Sequence, residues 1–214
     1  MIKIENIEVF GWEAAIRGMR NPMNSWEKSD SIFNAGFGSN STILGENDLK
    51  LMQSLVKAGT DHSKFMRMIN VTMDITAPMY WAKELDTYKV GTVRNSCSTM
   101  HKIHSKEFTL DDFSHEHLGD KEKQILLTTI EAMNESRDAF VTWNENYKHD
   151  KKDYWWQMIQ LLPSSYNQKF TWQANYQVLR NIYSARRNHR LDEWIHFTEF
   201  ILSLPYAKEL ITIE

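Results

Sequence analysis

Apolar residues recur every three or four positions through much of the second half of the chain, and this feature most restricts the fold. Residues three and four apart lie on the same face of a helix, so the spacing predicts one long helix with a buried stripe. The stripe consists of Ile125, Leu126, Thr129, Ile130, Met133, Phe140, Trp143 and Tyr147. Shorter stretches of the same kind predict helices over 154–162, 171–187 and 191–204, the first of which ends before Pro163.

In the first half of the chain, apolar residues follow two different spacings. Alternating apolar positions predict strands over 2–9 and 64–76, because successive side chains of a strand point to opposite faces. The spacing of three and four returns in predicted helices over 13–20, 48–58 and from Pro78 onward, where proline suits the first helical turn. Strands and helices are therefore both expected in this half.

Two polar segments show neither period. Residues 21–45 are rich in Asn, Ser and Gly and are predicted to form a long loop, and the segment 89–100 is predicted to form a second one. The longer loop carries Trp26, Phe33 and Phe37. Long loops inside compact domains are often functional, so these rings could face a planar ligand. A mobile surface loop without a ligand explains the same composition equally well.

Composition places the chain among globular proteins of one domain. The 214 residues are 42% hydrophobic and 25% charged, which allows a full core and excludes a disordered chain. The 25 basic and 28 acidic residues give a net charge of −3, so no broad basic surface is expected for DNA. No apolar run reaches the roughly 18 residues that cross a membrane. We expect one cytoplasmic domain over residues 1–214 without a membrane partner.

The histidines and the single cysteine are the residues that could bind a metal or act as a nucleophile. His101, His104, His115 and His117 fall close together, but their spacing matches zinc and iron sites poorly, so no metal is expected. Cys97 lies in a polar segment where backbone donors could activate a thiol. A lone cysteine is more often a small buried apolar residue. The sequence favours the buried role and leaves the nucleophile open.

The predicted helix 171–187 places polar groups among apolar ones. Trp172, Asn175, Leu179, Ile182 and Arg186 would share one stripe, since about eleven residues return a helix close to its starting direction. Arg186 presents a planar fork of donors that suits phosphate or the carbonyl groups of a pyrimidine. The stripe therefore predicts either an anion clamp or two polar residues satisfied at the rim of the core.

The C-terminal residues resemble those of the flavin-dependent thymidylate synthases. The shared order is Leu162-Pro163, Phe170, Trp172, Asn175, Leu179, Asn181, Arg186 and, in the next helix, Glu193. The predicted strand 64–76, the helix that starts at Ala77-Pro78 and the polar loop after it follow the same family order. The resemblance therefore covers roughly residues 60–205.

The chain departs from that family at its hallmark motif, Arg-His-Arg-x-x-Ser-x-Asn-x-x-Ser-x-Arg. Counted from Ala77-Pro78, the residues Thr87, Tyr88 and Lys89 stand where the family has Arg-His-Arg, and Thr99 stands at the final Arg. The chain is thus similar to a divergent member of the family, of phage or prophage type.

The resemblance implies an α+β fold, mostly helical with a small antiparallel sheet, and reductive methylation of dUMP to dTMP. FAD would be the cofactor, methylenetetrahydrofolate and NADPH the co-substrates, and a homotetramer the assembly. It assigns FAD to Arg67, Lys89 and Asn181. It assigns the pyrimidine nucleotide to Glu84, Ser96, Ser98 and Arg186. It leaves the catalytic residue unassigned.

The altered motif also supports a second hypothesis. A protein on the same scaffold could have lost catalysis and act as a regulator that binds a nucleotide or another protein. A third hypothesis is a helical interaction protein without a small ligand. These three alternatives differ in whether the chain binds flavin, nucleotide or neither.

Overall fold

The computed structural model describes residues 2–36 and 39–213. The strands are β1 (Lys3–Phe10), β2 (Ile32–Gly36), β3 (Ser39–Ile43), β4 (Asn70–Pro78), β5 (Thr92–Ser96) and β6 (Asn167–Asn175). The helices are α1 (Trp12–Arg20), α2 (Glu46–Lys57), α3 (Met79–Leu85), α4 (Thr99–Lys102), α5 (Asp120–Val141), α6 (Lys151–Leu161), α7 (Tyr176–Arg186), α8 (Asp192–Ser203) and α9 (Ala207–Ile211). Short 3-10 turns cover Asn21–Met23, Trp26–Lys28, Lys64–Arg67 and Leu110–Asp112.

The described strands belong to a four-stranded sheet and a hairpin. The sheet has the order β1-β4-β6-β5, so its neighbours are not consecutive along the chain. The hairpin pairs β2 with β3 in antiparallel fashion and places Ile32 opposite Ile43. Helices make up most of the regular structure. The prediction of an α+β fold, mostly helical with a small antiparallel sheet, is confirmed.

The chain divides into two compact units. The first unit contains Met1–Lys3, Ile75–Asp86 and Asn95–Phe170. The second unit contains Ile4–Asp74, Thr87–Arg94 and Thr171–Glu214. Strands β4, β5 and β6 each pass from one unit into the other along the chain.

The core of the first unit forms where α5 and α6 pack against each other. Its buried side chains are Ile103, Phe108, Phe113, Leu126, Ile130, Met133 and Met158. Full burial of one such large side chain stabilises a fold by about 1.5–3 kcal/mol. The apolar stripe of α5 therefore has the role that its spacing predicts.

The core of the second unit surrounds α7, which packs against α8 and α9. Tyr176 at the start of α7 is completely buried, and its hydroxyl donates to the carbonyl oxygen of Pro205 at 2.6 Å. The ring of Trp12 meets the ring of Tyr176 edge to face at 5.3 Å. Burial raises the pKa of the Tyr176 hydroxyl far above its usual value, so the group stays a hydrogen-bond donor.

The structure corrects the predicted helix 171–187. Asn167–Asn175 form β6, and the helix begins only at Tyr176. The fully buried apolar residues of β6 are Phe170, Trp172 and Ala174. Their spacing of two is the period of a strand, which overrides the helical spacing of the longer pattern. Trp172 and Arg186 therefore do not share a helical stripe.

Other predicted boundaries also shift. The segment 21–45 contains two 3-10 turns and the strands β2 and β3 instead of one loop, as far as it is described. The segment 89–100 contains β5, and the strand predicted over 64–76 begins only at Asn70. Helix α5 ends at Val141, so the apolar residues after it lie in the connection to α6. The strand over 2–9 and the remaining predicted helices are confirmed as β1, α1, α2, α3, α6 and α8.

Candidate functional site

The side chain of Arg186 contacts two aromatic rings in the second unit. Its guanidinium carbon lies 4.8 Å from the ring centre of Trp194 and 5.8 Å from that of Tyr88. Its Nε–H donates to the Tyr88 hydroxyl at 3.1 Å. The two rings meet edge to face at 6.1 Å. We call Arg186, Tyr88 and Trp194 the arginine cluster, in which cation–π attraction and one hydrogen bond orient the guanidinium.

The position of Tyr88 depends on the turn that follows it. Gly91 has a φ of +75°, and a Cβ atom there would lie 2.8 Å from Nδ2 of Asn175. Only glycine fits so close to that side chain in this backbone conformation. The hydroxyl of Thr92 donates to the carbonyl oxygen of Tyr88 and closes the turn. The turn therefore lies against the first turn of α7, whose last residue is Arg186.

Asn175 has a structural role at that position. Its Oδ1 accepts a hydrogen bond from the backbone N–H of Val178 at 3.1 Å and caps α7. Asn175 therefore fits the second alternative for the predicted stripe, a polar residue that is hydrogen-bonded at the rim of the core. The prediction of an anion clamp on that stripe therefore concerns Arg186, which ends α7.

Of the residues predicted to bind FAD, Asn181 is on α7 and Arg67 lies beside it. Arg67 ends the turn Lys64–Arg67, which packs against α7, and its side chain is exposed. The hydroxyl of Ser63 donates to Oε1 of Gln177 at 3.3 Å, and Nε2 of Gln177 donates to Oδ1 of Asn181 at 3.1 Å. Gln177 is only 6% exposed, so these two hydrogen bonds join the turn to α7 in a buried position.

The sequence did not predict a role in the site for Gln177, Tyr88 or Trp194. The signal that could have found Gln177 is its position one turn before Asn181 on the same helical face. Lys89, the third predicted FAD residue, is exposed and directly follows Tyr88. The second unit thus carries Arg67, Lys89, Asn181 and Arg186, which are the predicted cationic groups and the amide.

The other predicted nucleotide residues belong to the first unit. Glu84 is half-buried on α3, and Ser96 is half-buried at the end of β5. Ser98 is exposed and caps the short α4, where its hydroxyl oxygen accepts from the backbone N–H of His101 at 3.2 Å. The cap occupies one lone pair of the Ser98 hydroxyl and leaves its own O–H able to donate.

Cys97 is exposed, so the favoured prediction of a buried thiol is wrong. Its backbone is fixed on both sides, because its N–H donates to the carbonyl oxygen of Lys169 at 2.9 Å and its carbonyl oxygen accepts from Nε2 of Gln168 at 2.7 Å. These bonds extend the pairing of β5 with β6 by one residue. The continued strand edge therefore exposes the thiol.

The histidines make separate contacts. The ring of His104 packs on Phe140 at 4.7 Å, and Nδ1 of His115 lies 2.8 Å from the carbonyl oxygen of Phe113. Across residues 2–36 and 39–213, no group of three or more His, Cys, Asp or Glu side chains could hold a metal ion.

A buried carboxylate fixes the start of the segment predicted as a long loop. Asp48 of α2 is completely buried, and its Oδ1 accepts from Nε of Arg20 at 2.7 Å and forms an ion pair with Nη2 at 2.7 Å. Its Oδ2 accepts from the hydroxyls of Ser29 at 2.8 Å and Ser31 at 2.7 Å. Burial alone would raise the pKa of Asp48, but these hydrogen bonds and the Arg20 charge hold that pKa below its usual value.

The aromatic rings of this segment have different surroundings. Trp26 is 50% exposed, and its Nε1–H donates to Oδ1 of Asn21 at 2.8 Å. Phe33 is half-buried in β2, and Phe37 lies outside the described residues. The hypothesis that these rings face a planar ligand stays a prediction.

None of the described helices is both long and apolar enough to span a bilayer.

The fold defined by these elements is that of the flavin-dependent thymidylate synthases. A structure of thymidylate synthase X (ThyX) from Helicobacter pylori with FAD and dUMP has a TM-score of 0.67 and 14% identity, and the match covers 99% of this chain and 98% of that one. A second structure of the Helicobacter pylori enzyme, also complexed with FAD and dUMP, has a TM-score of 0.66 and 14% identity over 98% of both chains. No protein-family model and no curated protein sequence matches the chain. The similarity therefore establishes the fold.

Proposed function

We propose that the chain is a thymidylate synthase-like enzyme that binds dUMP at the arginine cluster and methylates it with the help of FAD. The observation that carries this proposal is the oriented guanidinium of Arg186 on a fold whose solved relatives hold FAD and dUMP. Guanidinium groups bind phosphates and the carbonyl groups of pyrimidines through paired N–H donors.

Each residue of the cluster has a distinct role in this proposal. Arg186 contacts the nucleotide, whereas Tyr88 accepts the Nε–H and fixes the plane of the guanidinium. The ring of Trp194 contacts the same guanidinium. Ser96, Ser98 and Glu84 of the first unit are also proposed as nucleotide-binding residues, with hydroxyl donors for phosphate oxygens and a carboxylate for a pyrimidine N–H.

The donor set around α7 fits a flavin cofactor. Arg67 and Lys89 are exposed cations suited to a diphosphate, and Asn181 offers an amide NH2 for a ring carbonyl while its Oδ1 accepts from Gln177. Bound FAD would supply hydride transfer. The residues of this chain would bind it, orient it and exclude water from the nucleotide.

The proposal includes two co-substrates and an assembly. Methylenetetrahydrofolate would provide the one-carbon unit and NADPH the reducing equivalents. We propose a homotetramer, in which residues from more than one subunit could complete each site. Light scattering coupled to size-exclusion chromatography should then give a particle of four times 25.3 kDa. A monomer at micromolar concentration would contradict this assembly.

The activity is tested by release of hydrogen from C5 of dUMP. Purified protein is incubated with FAD, methylenetetrahydrofolate, NADPH and dUMP tritiated at C5, and tritiated water is counted. We expect release that depends on all four compounds, with Arg186→Ala as the inactive control. Absence of release from a protein that binds both FAD and dUMP would reject catalysis and retain binding.

One observation favours a second candidate, a nucleotide-binding regulator without catalysis. Tyr88 stands where the family has the His of its Arg-His-Arg motif, and its hydroxyl contacts Arg186 of the same chain. Thr87 at the first Arg position carries no charge. Calorimetry separates the two candidates, because dUMP binding without FAD binding supports the regulator.

A further inference from the structure

Three polar side chains of the second unit form a hydrogen-bonded series that leads from the core to the surface. The series runs from Ser63, which is completely buried, through Gln177, which is 6% exposed, to Asn181, which is exposed. Gln177 and Asn181 lie one turn apart on the same face of α7. We call these three residues the Gln177 network. Asn181 is its member at the surface, so a ligand would contact the network at this residue.

The backbone around Ser63 fixes the buried end of the network. The N–H of Ser63 donates to the carbonyl oxygen of Gly59 at 3.1 Å, and the carbonyl oxygen of Ser63 accepts from the N–H of Met66 at 3.0 Å. A serine directly before a helical turn commonly caps it. The hydroxyl of Ser63 does not cap the turn Lys64–Arg67, and it donates to Oε1 of Gln177 instead. Among the described residues, Gln177 is the hydrogen-bond partner of this hydroxyl.

The Ser63 hydroxyl determines which end of the Gln177 amide faces it. If the amide were reversed, its NH2 would point at Ser63 and the buried O–H would lose its acceptor. A buried donor without an acceptor is strongly unfavourable. The amide oxygen of Gln177 therefore faces Ser63, and its NH2 faces Asn181, where it donates to Oδ1 at 3.1 Å.

The orientation of Gln177 in turn sets the orientation of the Asn181 amide. Reversal of that amide would bring two NH2 groups together and break the hydrogen bond to Gln177. An exposed asparagine without such a partner can present either its oxygen or its NH2, because water satisfies both. In this chain Asn181 therefore presents its NH2 to a ligand.

We propose that Gln177 and Ser63 are positioning residues of the flavin site, which hold the Asn181 amide as a hydrogen-bond donor to a carbonyl group of the flavin ring. This role rests on the proposed function. The pyrimidine edge of a flavin has a ring N–H between two carbonyls, so a reversed Asn181 amide would match the N–H instead of a carbonyl. The Gln177 network selects the carbonyl without itself contacting the flavin.

The test compares the FAD affinity and the infrared spectrum of bound FAD in the wild-type protein, Gln177→Leu and Ser63→Ala. FAD carries an isotope label at one or the other carbonyl carbon of its pyrimidine edge, which identifies each carbonyl band. A hydrogen bond lowers the stretching frequency of a carbonyl, so both variants should shift one band to higher frequency. Both should also bind FAD about threefold to tenfold more weakly. Because Ser63 is completely buried, its effect must pass through Gln177.

Gln177→Glu separates orientation from packing. The two side chains have nearly the same shape, but a carboxylate only accepts, so it would receive hydrogen bonds from both Ser63 and Asn181 and reverse the Asn181 amide. We expect the same band shift and weaker FAD binding in this variant. The matched controls are Gln53→Leu, at a half-buried glutamine of the same unit, and Ser54→Ala, at an exposed serine. Neither control should change the affinity or the carbonyl bands.

Three results would overturn the proposal. These are unchanged FAD affinity in a folded Gln177→Leu variant, weaker binding without a shift of a carbonyl band, and full affinity in Gln177→Glu. Circular dichroism confirms the fold of each variant, and Ser63→Ala replaces Gln177→Leu if that variant does not fold. A wild-type protein that takes up no FAD would reject the proposed function and this role together. A wild-type protein that binds FAD no better than the variants do would reject this role alone.

Discussion

At the scale of single residues, the guanidinium of Arg186 is the group around which the proposed nucleotide site is organised. Tyr88 and Trp194 hold it through one hydrogen bond and two ring contacts. Arg186 was predicted from the sequence because its type and spacing matched a family pattern. Its partner Tyr88 was not, because the two residues are 98 positions apart and no local pattern encodes such a contact.

Arg186→Ala should abolish measurable dUMP binding while the fold stays intact. The substitution removes the paired N–H donors and leaves a residue that favours the helix at the end of α7. Calorimetry measures the affinity, and circular dichroism measures the fold. Arg187→Ala is the matched control, since Arg187 is exposed and adjacent in the chain. Unchanged dUMP affinity in Arg186→Ala would remove this residue from the site.

Tyr88→Phe should weaken dUMP binding by about threefold to tenfold. The ring contact to the guanidinium remains, but the acceptor for Nε–H is lost, so Arg186 is less well oriented. Tyr88→Ala removes the ring as well and should cause a larger loss. Equal affinities of Tyr88→Phe and the wild-type protein would show that the hydroxyl does not orient Arg186.

At the scale of elements, the long helices were predictable and the junction of β6 with α7 was not. Helices α5 and α8 bury residues three and four positions apart over two or more turns. Around residue 175 a strand passes directly into a helix. The apolar residues of the strand, two apart, and those of the helix, three or four apart, together resemble the stripe of one longer helix. The cap at Asn175 was a signal for this boundary, since Asn is a favoured residue before a first helical turn.

Asn175→Ala should lower the free energy of unfolding by about 1 kcal/mol, within the usual range of about 0.5–2 kcal/mol for a lost cap. The reason is that the N–H of Val178 loses its acceptor. Urea denaturation measures the change. Asn175→Asp keeps a carboxylate acceptor in place and should retain most of the stability. Equal loss in both variants would mean that Asn175 acts through packing and not as a cap.

Asp48→Asn should lower the free energy of unfolding by about 3–5 kcal/mol at neutral pH. The variant leaves the buried guanidinium of Arg20 without its opposite charge and weakens the link between α2 and the segment that contains Ser29 and Ser31. Urea denaturation measures the change. Asp61→Asn, at an exposed carboxylate, should have little effect.

The same pair has a defined pH dependence. The pKa of Asp48 is lower in the folded than in the unfolded chain, so its stabilising contribution is fully present above the ordinary pKa of 3.8 and is lost as pH falls through the folded pKa. The difference in stability between wild type and Asp48→Asn should therefore shrink as pH falls below about 4. A difference that stays constant from pH 7 to pH 3 would contradict the assigned charge.

At the scale of the whole molecule, the fold is retained where little of the sequence is. The Helicobacter pylori structures share 14% identity with the chain and are covered almost completely. A fold requires only apolar residues at suitable periods, whereas an activity requires particular side chains at particular positions. The general fold could therefore be predicted from the sequence, while the role of Thr87, Tyr88 and Lys89 could not.

The visible absorption spectrum of the protein, as purified and after incubation with FAD and removal of free cofactor, tests the central claim most directly. We expect the absorption bands of a bound oxidised flavin at a ratio approaching one FAD per chain. Reduced occupancy in Asn181→Ala would support the proposed FAD residues. A protein that stays colourless after incubation with FAD would contradict the account of a flavin-dependent enzyme.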